Sequence, residues 1–273
     1  MLGKLIKYEL KATSRWFLPV YVLALLLAPI ERFAVEYIDN NIEVNPAFDA
    51  LTNTLFSVIT FAFVFALIAI AVISGILIVY RFYKNLITNE GYLMHTLPVR
   101  TSQLVWSKAI VAIFWVFASS IVILLAIILL FIGNPGWKEA IADLSRVFLF
   151  FFDWYGSTAW LLLIEILLSS VVGSLSLIFM TYASISLGQL ITKHKILGAF
   201  GAYLLLNIAL QFISSMLFLP FMNRVLKSMT TTDSLLAYVS HVWLPITLVY
   251  TIVISIIFYS ITSYVFKKKL NLE

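Results

Sequence analysis

Residues 50–80 run for 31 positions without one charged side chain. The hydrocarbon core of a bilayer is about 30 Å thick and takes about 20 helical residues to cross. The run therefore exceeds one untilted crossing, and its helix is expected to tilt or to project from the bilayer. Five more apolar runs follow or precede it. The whole chain is 62% hydrophobic and 11% charged, with a mean hydropathy of +1.03, where soluble domains carry about 25% charged residues. No soluble core of 273 residues hides so much apolar surface. The sequence reads as an all-α polytopic membrane protein forming a single transmembrane domain over 1–273.

The polar punctuation sets the spans. Residues 1–15 (MLGKLIKYELKATSR) place Leu2, Leu5, Ile6 and Glu9 on one helical face, with Lys4, Lys7, Lys11 and Arg15 supplying positive charge. This predicts an amphipathic helix in the anionic interface. Span 1 is expected over 16–35, with Glu31 and Arg32 at the outer interface, Pro19 tolerated and a kink at Pro29. No small-x-small cleavage site follows that run, so it is expected to stay as an anchor. Residues 36–49 hold four acids and no Lys or Arg, and are read as an external loop. Span 2 lies within 50–80, where Ser74 and Gly75 would permit a close helix contact. Span 3 covers 109–132 and ends at the turn Gly133-Asn134-Pro135-Gly136. Residues 137–153 recur as Trp137, Ile141, Leu144, Phe148 and Phe151 on one face, which predicts an external amphipathic helix with an aromatic belt. Span 4 lies within 157–191 and span 5 over 196–218, ended by Pro220. Residues 221–240 are read as semi-polar, with room for a re-entrant pair. Span 6 covers 242–266 and stops at Lys267, Lys268 and Lys269.

Charge placement tests this layout. The segments assigned inside (1–15, 81–108, 193–195, 267–269) hold thirteen Lys and Arg, and those assigned outside hold five. That asymmetry puts both termini in the cytoplasm.

Several chemistries lack their residues. There is no phosphate loop of the G-x-x-x-x-G-K-[ST] kind, no H-E-x-x-H and no G-x-S-x-G. The three histidines fall in separate segments and Cys is absent, so neither a metal site nor a disulfide is expected, and the compartment stays open on that ground. Glu165 is the one acid inside an apolar run. An intramembrane carboxylate reads either as part of a transport path or as a structural group capped by a neighbour. Asn207 and Gln211 share one face of span 5 and read either as interhelical glue or as path lining. Phe and Leu residues of spans 1, 2 and 5 are the other candidate lining.

The long polar break at 81–108 is RFYKNLITNEGYLMHTLPVRTSQLVWSK, with Arg81, Lys84, Arg100 and Lys108 against one acid, Glu90. Asn89, Gly91 and Pro98 predict short helices bent onto each other. The positions Arg81, Phe82, Tyr83, Lys84, Asn85 and Leu86, then Glu90, Gly91, Tyr92 and Leu93, then Thr96, Leu97, Pro98 and Val99 resemble the cytoplasmic segment between the second and third spans of ABC-2-type transporter permeases, in their small bacterial branch. The opening MLGKLIKYELKATSR resembles that branch too. The motifs cover about forty residues; the remaining likeness is one of layout.

The resemblance implies a permease subunit in a bacterial plasma membrane, paired with a second permease (a copy of itself or a paralogue) and with two ABC ATPase subunits. It implies export of amphipathic or hydrophobic cargo such as a peptide. It implies no hydrolytic site or cofactor on this chain, with ATP and Mg held by the partner ATPase, and no nucleic acid. The 81–108 segment would be the coupling helix. Phe82, Tyr83, Tyr92, Leu93 and Leu97 would form its apolar ridge, Lys84 and Glu90 its charged rim, and Gly91 and Pro98 its turns, with Arg81 and Asn85 beside them. Two other classes stand beside this expectation: a stand-alone membrane enzyme, for which no catalytic constellation is seen, and a partner-binding membrane protein without transport.

Overall fold

The computed structural model describes residues 1–41, 46–88, 91, 94, 96, 98–132, 136–156, 158–191, 193–228 and 239–268. They are mainly helical, with short turns and no strand among them. Seven α-helices follow in order: α1 (Leu2–Asn41), α2 (Pro46–Ile87), α3 (Thr101–Phe131), α4 (Trp137–Tyr155), α5 (Thr158–Gly188), α6 (Lys195–Ser228) and α7 (Leu244–Lys268), the last preceded by a π-helical turn at Val239–Trp243. Six of them are long and apolar enough to cross a membrane. Helices suit that task because every backbone N–H and C=O can be satisfied within the segment.

Three boundaries differ from the sequence expectation. The basic opening 1–15 is not set apart: α1 runs unbroken for 40 residues, through both Pro19 and Pro29. The acidic stretch 36–49 is taken up largely by the end of α1 and the start of α2, where Pro46 occupies a first-turn position that needs no N–H donor. Pro220 does not end its helix, since α6 continues to Ser228. A proline inside an apolar helix removes one backbone bond, and neighbouring groups readily make up for it. The re-entrant pair expected over 221–240 falls mostly on 229–238, outside the described residues.

The contacts divide the chain into two compact units. One comprises Gly3–Ile78 and Phe114–Trp154 and is called the hydroxyl unit here. Its core mixes small residues, aromatic rings and short polar links. Ala28, Phe63 and Ala126 are buried together, with Leu25, Leu67 and Leu129 packed around them. Phe17 of α1 stacks on Trp115 of α3 at 4.2 Å. The Trp115 indole N–H donates to Thr13 Oγ1 at 2.7 Å, and the Thr13 hydroxyl donates to the Glu9 carbonyl at 2.8 Å. The Tyr21 hydroxyl meets Ser119 Oγ at 2.6 Å, and Ser119 meets Ser74 Oγ of α2 at 2.8 Å. Three helices are thus tied by one chain of hydroxyls. The close approach at Ser74 agrees with the expectation for that position, whereas Gly75 faces open space.

The other unit comprises Met1–Leu2, Val79–Ile113 and Tyr155–Glu273, and is called the aromatic unit here. In it α5 packs along α7 and α6. Trp106 at the start of α3 meets Phe179 edge-on at 5.3 Å and Tyr259 at 5.7 Å. Between α5 and α6 the chain reverses tightly. A Cβ on Gly188 would lie 2.4 Å from the Ala199 nitrogen, so only glycine permits that approach.

Candidate functional site: the junction of α2 and α3

The last turns of α2 are held by aromatic stacking. Phe82 is 0% exposed. Its ring lies parallel to Tyr182 of α5, with centroids 3.7 Å apart, and meets Phe266 of α7 edge-on at 5.7 Å. The edge-on contact with Phe266 is of a favoured kind for aromatic pairs, worth roughly 1 kcal/mol beyond area burial. Asn85 and Leu86, one turn on, are buried as well. The periodicity explains this: 82, 85 and 86 share the inward face of α2, while Arg81, Tyr83 and Lys84 are half-buried around it. Lys84 Nζ sits 5.7 Å from the centre of the Tyr80 ring, within the range of a cation–π contact.

Past Ile87 the chain folds back. Thr88 Oγ1 donates to the Lys84 carbonyl at 2.6 Å, and the Gly91 N–H donates to the Thr88 carbonyl at 2.7 Å. A Cβ on Gly91 would stand 2.6 Å from the carbonyl carbon and oxygen of Leu86. Glycine is therefore required where Gly91 lies against the Leu86 backbone. Gly91, Met94 and Thr96 are helical. Pro98 is exposed, and the Arg100 carbonyl accepts the N–H groups of Gln103 and Leu104, which starts α3. Leu104, Val105 and Lys108 then face inward.

This geometry sorts the candidate residues. Phe82 and Asn85 lie inside the unit, so their side chains serve its packing and are not open to a partner; Gly91 is buried against the Leu86 backbone. Arg81, Tyr83, Lys84 and Pro98 remain at the surface in part or in full. Glu90, Tyr92, Leu93 and Leu97 lie outside the described residues.

Glu165 is half-buried on α5. Asn207 on α6 donates its amide to the Tyr203 carbonyl of its own helix at 3.0 Å, and Gln211 is exposed. No group of three or more His, Cys, Asp or Glu able to hold a metal occurs among the described residues.

Sequence reasoning misplaced one carboxylate. Glu31, expected at the outer interface beside Arg32, is 3% exposed. It turns into the hydroxyl unit, where Thr60 Oγ1 of α2 donates to its Oε1 at 2.7 Å, while Oε2 is buried without a partner among the described residues. Arg32 turns the other way and pairs with Glu36 at 3.6 Å. The signal was in the spacing. Phe17, Tyr21, Ala24 and Ala28, all buried, precede Glu31 at steps of four, three, four and three, which is one face of a helix. Glu9, four residues before buried Thr13, extends the same face and is also buried. No known family model, characterised protein or solved structure matches this chain.

Proposed function

We propose that this chain is the membrane-spanning permease subunit of an ATP-driven exporter, with the α2–α3 junction receiving the motion of a separate ABC ATPase. Six apolar helices support a multi-pass membrane protein. The motif of residues 81–99 supports the ABC-2-type reading. The observation that carries the mechanical part is the Phe82–Tyr182–Phe266 stack. A junction that receives force must pass displacement on rather than absorb it. Rings in a close-packed contact resist shear, because interiors packed to crystal-like density transmit strain. Displacement of the α2 end therefore reaches α5 and α7 directly.

In this reading the chain lies in a bacterial plasma membrane with both termini in the cytoplasm. It pairs with a second permease and moves amphipathic or hydrophobic cargo, such as a peptide, outward. ATP and Mg act in the partner.

Co-expression of the chain with an ABC ATPase encoded beside it, followed by purification in lipid, tests this. The expected outcome is a stable complex whose ATP hydrolysis rises with amphipathic peptide, and which Tyr92→Ala with Leu93→Ala dissociates. Retained association and transport in that double variant would overturn the junction's role.

A further inference from the structure

An open cleft of about 390 Å³ lies between the ends of α5 and α7. Leu187 and Leu190 line one wall, and Ser260, Ile261, Tyr264 and Val265 the other. The walls are apolar, and the Ser260 hydroxyl is already engaged by the Ile256 carbonyl at 2.7 Å. Two exposed cations stand at the same end: Lys193, three residues past Leu190, and Lys267, two residues past Val265.

The features together ask for a ligand with an apolar tail and negative charge at one end. We infer that the cleft is a binding site for an anionic phospholipid of the surrounding bilayer. An acyl chain lies along Leu187, Leu190, Ile261 and Val265, and the phosphate lies by Lys193 and Lys267. Basic pockets between membrane helices recognise anionic headgroups in this way, each nearby Lys contributing favourably at the surface.

The helix dipoles do not reverse the sign. The carboxyl ends of α5 and α7 each present roughly half a negative charge. Lys193 and Lys267 carry two full positive charges, and α6 begins at Lys195, bringing the positive end of its own dipole to the same turn. Net positive potential remains. The inference rests only on the membrane-spanning character of the chain and is independent of the exporter reading.

The test uses the full chain reconstituted into bilayers of phosphatidylcholine mixed with phosphatidylglycerol. After extraction, retained lipid is counted by native mass spectrometry. The expected result is retention of phosphatidylglycerol over phosphatidylcholine by on the order of tenfold. Lys193→Gln with Lys267→Gln abolishes the preference, and Ile261→Trp, which fills the cleft without changing charge, lowers total retention. Lys138→Gln, a control for charge on α4, changes neither. Because both lysines are exposed, their double variant is expected to fold, which keeps the test decisive if Ile261→Trp misfolds. Soluble glycerol phosphate in excess leaves retention unchanged if the acyl chain is held. Equal retention of both lipids, a preference that survives the double lysine variant, or displacement by glycerol phosphate alone would each overturn the assignment.

Discussion

The hydroxyl unit and the aromatic unit link their helices differently, the first by hydroxyl bonds between helices and the second by a larger cluster of rings. In the first, alanines at 24, 28 and 126 are wholly buried, and hydroxyls on α1, α2 and α3 tie the helices together. In the second, rings from α2, α3, α5 and α7 stack on one another. Lipid tails are as apolar as leucine, so helices in a bilayer gain little from burying apolar surface against one another. What remains is van der Waals fit and hydrogen bonding. Small residues supply fit by letting backbones approach, and each hydroxyl link adds only about 0.6 kcal/mol. Aromatic rings concentrate the same attraction in a few large contacts. Stability should therefore be spread thinly over the first unit and focused at a few positions in the second.

The sharpest way to break that comparison is Phe82→Ala. It leaves a cavity between Tyr182 and Phe266 and is expected to cost about 3 kcal/mol, near the lower end for such truncations because lipid is a milder competitor than water. Thermal unfolding in lipid or detergent reads it, and a loss under 1 kcal/mol would show that the stack is not where the unit keeps its stability.

The next effect falls in the hydroxyl unit, at the buried carboxylate of Glu31. Thr60→Val removes the donor to Glu31 Oε1, leaving both carboxylate oxygens without a partner among the described residues. The expected loss is about 2 kcal/mol. Glu31→Gln keeps an oxygen for Thr60 to donate to and should cost less. Equal stability of the Thr60→Val variant and the parent would mean that the bond contributes nothing. The smallest change is Tyr21→Phe, which deletes one link to Ser119. It should lower stability by about 0.6 kcal/mol, measured by equilibrium unfolding against the parent. A loss as large as that of Phe82→Ala would abolish the contrast between the units.

Much of the architecture was legible beforehand, for a local reason. Hydropathy belongs to each residue, and a bilayer demands about 20 apolar positions in helical form. Six runs therefore implied six helices, and the break expected at 133–136 falls between the end of α3 at Phe131 and the start of α4 at Trp137. The amphipathic helix expected over 137–153 is present as α4. At the junction, the demand for turns around Gly91 was readable from composition, and the close pass over Leu86 supplies the physical cause.

What stayed hidden depended on phase and on partners. Phe82 was assigned to a docking ridge because it is aromatic in a polar segment; only the arrival of Tyr182 and Phe266 buries it. Glu31 was assigned to the interface because it is charged, yet it continues the face of Phe17, Tyr21, Ala24 and Ala28. Pro220 was assigned as a stop because proline lacks an N–H, although one missing bond does not end an apolar helix. The sequence by itself determined how many helices there are and roughly where they run, since that follows from local transfer free energies. Tertiary structure decided which side of each helix is inside, because burial is a property of the neighbours a side chain meets and not of the side chain alone.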